Sequence, residues 1–582
     1  AMNNFVASDS RQLMWALYEG AGFYPEESEI KKLINFVRGI DAYDENKDLN
    51  TADEREWKLG DIYHSEMAIV GPPKAIDTEL AGDTNTEEYF KLQNGYQAFI
   101  DANASRETMV YVGANDGMLH AFKDSTGEEL WAFIPPNVLP KLRSMVPGVE
   151  HVTIPIYGVD GSPVVKDVLL GGQWRTVLMA GLGREGYGYF ALDVTNPSVP
   201  KFMFAFLNDS KEKAVYYWDE AGTKSKHYHR SVPPDMNYSM MGEALSTPTI
   251  IAIEVNSGEP QKWVAVIGGG LNNTDDKDYG SVLYVINIED QGRVLRVFDL
   301  PDESGGFKNS HPSPVTAVTA DTTSAASYKG ARLYAADLES RLYNVNQCNV
   351  GSASPCVGAS THDQDMLTGD AGNEVNQRAS FNAVTPAIDS NNKLWVYFGT
   401  GNLDKLQLSQ ATIQNRIFGV KDSSFPIVTK GGGVGMSSPT IKNVTGAGAT
   451  CPSESDDGWY LNLERDEKVV AKIALDKGVL YAPVYKPDTA QLCFPGVSTL
   501  YQMGYACGKV LKQTALGTGL VAGVRAYKDK VYVSISGTPA NQTEVDLADG
   551  FTKKGSIISG EIATPSASNS QKAVIESWRE KF

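Results

Sequence analysis

Oxygen-bearing side chains alternate through Asp44-Glu-Asn46-Lys-Asp48-Leu-Asn50-Thr-Ala-Asp53-Glu54. A hard cation such as Ca²⁺ collects about six to eight oxygen ligands, and the first, third and fifth residues of a loop can wrap their oxygens around one ion. Asp44, Asn46, Asp48, Asn50 and Asp53 are therefore the candidate calcium ligands. Two departures from an EF-hand loop are plain: Leu49 occupies the glycine position, and the acidic residue at Asp53 or Glu54 comes before the usual bidentate twelfth ligand. A shortened loop could still close around an ion; the alternative is a solvated acidic turn.

A second acidic cluster, Asn272-Asn273-Thr-Asp275-Asp276-Lys-Asp278, follows Gly268-Gly269-Gly270 and reads as turn chemistry, since Asn and Asp stabilise tight turns through their own backbone. His227 and His229 would share one side of a strand, but no third ligand accompanies them, so a surface or loop role is expected. Scattered Glu and Asp pairs give no glycosidase signal, because catalytic carboxylates are defined by separation in space. There is no Gly-x-Ser-x-Gly elbow, Walker loop or His-Glu-x-x-His, and the Gly-rich strings lack a following helix to cradle phosphate. Five cysteines stand at 348, 356, 451, 493 and 507, none in a C-x-x-C pair. At least one disulfide is expected, with Cys348–Cys356 and Cys493–Cys507 as local staples and Cys451 left over; reduced core thiols are the alternative.

The elements that must position these groups divide at about residue 60. Ile30, Leu33, Ile34 and Val37 follow helical spacing, with Ser28 placed to cap and Gly39 to stop. Residues 1–60 thus form a helical segment carrying the acidic loop, and residues 61–582 a second domain with one more helical stretch near 87–100. From about 108 onward, short β-branched and aromatic runs alternate with Gly, Asn, Asp and Pro clusters. A Ser/Thr-Pro recurs at 162–163, 247–248, 313–314, 385–386 and 438–439, and each is followed by a strand ending in Gly and a partner strand. Hairpins are expected at 111–122, 177–181 with 189–193, 264–268 with 283–287, 333–337 with 342–346, and 395–399 with 417–422. Weaker ones fall at 479–485 with 500–503, and at 531–537. The fold class is all-β: a modified propeller of roughly seven blades with long loop insertions and a small helical N-terminal segment. A double sandwich is the structural alternative.

The chain has 582 residues and a net charge of −19, 42% of its residues are hydrophobic and mean hydropathy is −0.27. That composition can bury a large core and excludes global disorder. So acidic a surface repels phosphate backbones and anionic lipids, so no nucleic-acid partner and no direct membrane insertion are expected. Ala1-Met2 reads as a cloning remnant, so the absence of a signal peptide or upstream domain here says nothing about the native gene.

Tyr111 to Phe133 resembles the hairpin shared by quinoprotein-like propellers. Longer phrases narrow the likeness: Arg38-Gly39, Trp57-Lys-Leu-Gly60-Asp61-Ile-Tyr-His64-Ser65, Gly113-Ala-Asn-Asp116-Gly-Met-Leu-His120-Ala-Phe122, Gly158-Val-Asp160-Gly-Ser162-Pro163, Gly458-Trp459-Tyr-Leu461 and Ser577-Trp578-Arg-Glu580. With these the chain resembles, over nearly its whole length, the C-terminal propeller domain of the PilC/PilY-type adhesins and assembly factors of type IV pili. The resemblance implies an exported protein at the pilus tip, cell surface or outer membrane, and a larger N-terminal region ahead of this one. It implies partnership with minor pilins and the tip complex, support of pilus assembly, opposition to retraction, and attachment to a host or abiotic ligand. The family's calcium turn, which governs extension and retraction, matches Ala320 to Gly330, where Asp321 is the lone carboxylate.

The reading is a binding protein with calcium as its cofactor and not an enzyme. Two other classes are alternatives: a quinoprotein dehydrogenase using pyrroloquinoline quinone, which shares the Asp-Gly hairpin and Leu130-Trp131, and a propeller scaffold for outer-membrane assembly. The repeat's Trp stands in only one blade, and no adjacent Cys-Cys pair accompanies it. An adhesive face would be built from loops on the rigid scaffold, with the Phe206–Pro234 insertion the first to test.

Overall fold

The computed structural model describes residues 5–561 apart from 147–152, 155, 255–260, 275–278, 301–308, 323–329, 349–363, 369–377, 410–412, 424, 426–433, 436–437, 447, 491–493, 537–544 and 548–549. Among the described residues, seven sheets follow one another along the chain as the blades of a propeller. Blade 1 is Ala68–Val70, Met109–Gly113, Leu119–Lys123 and Glu129–Phe133. Blade 2 begins with Val164–Leu170 and Gln173–Gly181, blade 3 with Thr249–Glu254 and Gln261–Gly268, and blade 4 with Thr316–Val318 and Gly330–Ala336. Blade 5 begins with Thr385–Ile388 and Leu394–Gly399, blade 6 is centred on Val479–Lys486, and blade 7 opens with Val521–Tyr527 and Lys530–Ile535. No helix among the described residues is long and apolar enough to cross a membrane.

The expected hairpins form in register. Val264 pairs Asn287 and Gly268 pairs Leu283, while Val177 pairs Asp193. Strands inside a blade are covered on both faces by neighbouring blades, which is why Val264 to Ile267 and Val282 to Ile286 are unbroken apolar runs rather than alternating ones. The core therefore lies between blades. Trp263 and Tyr284 of blade 3 pack with Val177 and Tyr189 of blade 2, and Trp459 of blade 5 packs with Leu480 and Tyr501 of blade 6. Each such fully buried large side chain contributes about 2–3 kcal/mol.

The Gly that ends the second strand of a blade sits against the chain entering the next blade. A Cβ on Gly113 would lie 2.1 Å from the Val159 carbonyl oxygen, and one on Gly268 would lie 2.4 Å from that of His311. Hydroxyls stitch the first strands together: Thr249 donates to the Val315 carbonyl (2.6 Å), Thr316 to Val384 (3.0 Å) and Thr385 to Ile473 (2.6 Å).

Helices α1 (Ser10–Leu17) and α2 (Glu27–Val37) bury Leu13, Leu17, Ile30, Leu33 and Ile34 against blades 1 and 2. Ser28 is not the cap of α2. Glu26 holds that position without a side-chain bond, and Ser28 lies inside the first turn. Gly39 does end the helix, at φ 96°. The stretch near 87–100 is two helices, α3 (Glu87–Gln93) and α4 (Tyr96–Ala102), broken at Gly95, whose φ of 71° no helix continues through.

The expected cysteine pairing is corrected. Cys451 is bonded to Cys507, so Cys451 is not the odd thiol and Cys507 is not paired with Cys493. The bond joins the approach to strand Gly458–Asn462 of blade 5 to the turn after Val497–Gly504 of blade 6. Nearness in sequence misled because blades adjoin in space. Cys356 and Cys493 lie outside the described residues, as does the Ser577–Glu580 phrase.

Candidate functional site

The acidic loop follows α2 and is fastened at both ends. Asp41 is buried and accepts the amide hydrogens of Glu45 (2.7 Å) and Asn46 (3.3 Å), while its own amide donates to the Asp53 carbonyl (2.8 Å). Within the loop, Asp44 Oδ1 accepts from Leu49 N (3.1 Å), Asn46 Oδ1 from Asp48 N (3.1 Å), Asp48 Oδ1 from Asn50 N (2.7 Å) and Asn50 Oδ1 from Ala52 N (3.2 Å). Each oxygen-bearing residue thus folds its own turn, as Asn and Asp do. Asp44, Lys47 and Leu49 adopt positive φ, and Leu49, at 68°, supplies the left-handed conformation that glycine gives an EF-hand.

Asn46 Nδ2 donates to Asp53 Oδ2 at 3.2 Å, so the loop's two ends are brought together. Asp53 Oδ1 is buried and has no hydrogen-bond partner. That atom is what a cation would satisfy. Asp48 and Asn50 remain exposed on the loop, and among the described residues no three His, Cys, Asp or Glu side chains are gathered closely enough to form a metal cluster by themselves. An ion at such a loop would draw on the oxygens of Asn46 and Asn50 beside the carboxylates of Asp44, Asp48 and Asp53. Asp41, which sequence reasoning did not include, braces the loop; its place three residues ahead of the alternation is its only sequence signal.

Three of the phrases that carried the family likeness, 57–65, 113–122 and 158–163, meet at one place. Segment 57–66 runs as a strap across the hairpin of blade 1 and the entry to blade 2. Gly60 N donates to Asp116 Oδ2 (2.8 Å), Asn115 N to the Asp61 carbonyl (3.0 Å), and His64 Nδ1 lies 2.5 Å from Asp160 Oδ2. Ser65 Oγ accepts from Gly113 N (2.9 Å) and donates to the Gly161 carbonyl (3.2 Å). Ser246 repeats this device in blade 3, accepting from Gly268 N and donating to the Ser313 carbonyl. These residues therefore hold the ring.

His120 sits within the same hairpin between two carboxylates, with Nδ1 2.5 Å from Glu129 Oε1 and Nε2 3.1 Å from Asp116 Oδ2. Burial disfavours the imidazolium, but the hydrogen bonds and charges of Asp116 and Glu129 outweigh it and hold the pKa up at about 9. A ring donating from both nitrogens keeps no lone pair for general-base chemistry.

Asp321, the lone carboxylate of the turn matching the family's calcium loop, is spent on a helix. Both its oxygens lie 3.0 Å from Glu87 N, at the start of α3, beside the Thr86 cap that accepts from Tyr89 N. Residues 323–329 of that turn lie outside the described residues. His227 and His229 do not converge: His227 Nε2 meets Ser225 Oγ (3.1 Å) and His229 Nε2 meets Asn208 Oδ1 (2.8 Å). Asn272 Oδ1 accepts from Thr274 N, and Asn273 Nδ2 reaches Glu243; Asp275, Asp276 and Asp278 are outside the described residues.

The Phe206–Pro234 insertion is ordered. Strands Ala214–Trp218 and Lys224–Tyr228 extend blade 2 to six strands, and Lys224 lies over the rings of Tyr216 (4.1 Å) and Trp218 (5.2 Å).

Residues 59–448 match the PilY1 beta-propeller domain family. The type IV pilus biogenesis factor PilY1 of Pseudomonas aeruginosa strain PAK is 33% identical over 310 residues, covering 53% of this chain and 22% of that protein. A PilY1 homolog of Xylella fastidiosa is 27% identical over 518 residues, covering 82% of this chain and 31% of the homolog. The chain thus spans under a third of the length of either relative. The crystal structure of the Pseudomonas aeruginosa PilY1 C-terminal domain superposes with a TM-score of 0.57 at 21% identity, covering 81% of this chain and 98% of that one.

Proposed function

The chain belongs to the PilY1 β-propeller family, and from that premise we propose that it is the propeller part of an exported, pilus-tip-associated type IV pilus biogenesis factor and adhesin. In this reading it supports assembly with the minor pilins, opposes retraction and presents a surface that attaches to host or abiotic ligands. The match over residues 59–448 carries the reading. At the blade 1 hairpin, His120 has both nitrogens engaged by carboxylates, which supports a bracing role there over general-base chemistry.

Calcium belongs to the same reading. Asp44, Asn46, Asp48, Asn50 and Asp53 would hold the ion, whose charge would offset the repulsion between the loop's carboxylates and pin α2 to the strap. The buried Asp53 Oδ1 without a hydrogen-bond donor supports this.

Deleting the gene and scoring surface pili and twitching tests the proposal. Loss of both, restored by the intact gene, is expected; normal piliation and motility in the deletion strain would refute it.

A further inference from the structure

The insertion hairpin of blade 2 and the outer turn of blade 3 enclose a half-open cleft of about 280 Å³. Its floor is the ring of Tyr217 and the side chain of Met236, both largely buried, and its rim carries Asp219, Thr223, Asp290 and Gln291. Tyr217 donates its hydroxyl to the Gln291 carbonyl at 2.6 Å, and Glu220 N donates to Gln291 Oε1 at 3.1 Å, so the two blades are locked across the cleft. Gln291 holds φ 50°, a left-handed conformation that a turn ordinarily assigns to Asn or Gly. The turn and these two bonds hold the Gln291 side chain at the rim of the cavity.

The hydrogen-bonding capacity left on the rim is mixed. Among the described residues, Gln291 Nε2 and Thr223 Oγ1 have no partner. Asp219 gives only Oδ1 to Thr223 N, and Asp290 meets Arg293 through Oδ1 at 3.7 Å. Arg293 is committed to Asp235 at 2.5 Å. Each carboxylate thus keeps an acceptor oxygen beside the amide and hydroxyl donors. Arg293 lies over the Tyr217 ring at 5.8 Å, so the recognition falls to the rim: a sugar hydroxyl is both donor and acceptor and can use such a rim from either role. Phosphate, sulfate or an acidic sugar would meet Asp219, Asp235 and Asp290 with the one arginine already paired. A simple ammonium would leave the Gln291 and Thr223 donors facing no acceptor.

We propose that this cleft binds one residue of a neutral glycan. The proposal deepens the attachment role above and rests on that reading only for its purpose, because sugar binding is measured on the purified chain and piliation in cells.

The test is saturation-transfer NMR on the full 582-residue chain with methyl α-mannopyranoside, methyl β-galactopyranoside and N-acetylglucosamine as probes, and n-butylamine and inorganic phosphate as comparisons. At least one glycoside is expected to bind at about millimolar concentration. Gln291→Gly relieves the strained φ and so folds, yet should weaken binding about tenfold or more. Ser225→Tyr, at the half-buried wall of the cleft, should abolish it. No glycoside binding up to about 100 mM, binding indifferent to both substitutions, or binding of only the amine or phosphate would overturn the proposal.

Discussion

Asp116 accepts the amide hydrogen of Gly60 at 2.8 Å, and this bond fastens the 57–66 strap to the hairpin turn of blade 1. The same carboxylate faces Nε2 of His120, whose Nδ1 is held by Glu129. The strap, the hairpin and a titratable ring therefore form one unit, and its charge state has a consequence for stability.

His120 has its pKa raised in the folded protein to about 9, against 6.5 when exposed. A raised basic group stabilises fully below the unfolded value and loses that contribution as pH rises through the folded one. Melting temperature should therefore fall between about pH 6.5 and 9, by an amount corresponding to up to about 3 kcal/mol. In His120→Gln the fall across this window should vanish while the remaining pH dependence persists. An unchanged profile in that variant would show the ring to be a bystander.

The Cys451–Cys507 bond closes a loop across 56 residues between blades 5 and 6. On the chain-entropy account, such a loop contributes about 4 kcal/mol. Replacing both cysteines by serine should lower the denaturant midpoint accordingly, and reductant should bring the parent protein down to the variant. Trp459, whose indole N–H donates to the Tyr505 carbonyl at 3.0 Å, reports the event by fluorescence, since it lies beside the bond at the same inter-blade seam.

Asp321 joins blade 4 to α3 through the amides of Glu87 and Glu88. Asp321→Ala leaves those amides without their acceptor and should cost about 1–2 kcal/mol in chemical denaturation. Asp321→Asn keeps an acceptor oxygen and should cost less. Equal losses in the two variants would mean that charge, not hydrogen bonding, is what the helix start requires.

Much of the ring was legible in the sequence because its two signals are local. Apolar runs ended by glycine, as at Gly113 and Gly268, mark strands whose ends touch a neighbouring backbone, and Ser/Thr-Pro marks where blades 2 to 5 begin, whereas Ser438-Pro439 leads into Ile441–Asn443, an edge strand of blade 5. What links blades was not legible, since it depends on residues far apart: Thr249 with Val315, Asp321 with Glu87, Cys451 with Cys507. The same limit applies to the sites. The acidic loop is contiguous and could be read directly, whereas the glycan cleft needs Tyr217 and Gln291, 74 residues apart, to be brought together by the packing of blade 2 on blade 3. Helix α1 went unread because its buried Leu13 and Leu17 are too few to set up a periodic pattern.

Calcium provides the remaining prediction. A loop whose turns at Asp44, Asn46, Asp48 and Asn50 are already closed by their own side-chain oxygens has less conformational entropy to lose on taking an ion than an unstructured acidic run. Isothermal titration should therefore show one Ca²⁺ site, and Ca²⁺ at about a hundred times its Kd should stabilise the chain by about 2.7 kcal/mol. Asp48→Ala and Asp53→Ala should both abolish the heat of binding and the thermal shift, while Asp321→Asn should leave them intact, because that carboxylate is committed to α3. Mg²⁺ should substitute poorly, since it demands a regular octahedron that a loop combining three Asp with two Asn does not impose. Absence of any calcium-dependent shift in the parent chain would reduce the loop to a set of self-bonded turns bracing α2 against the strap.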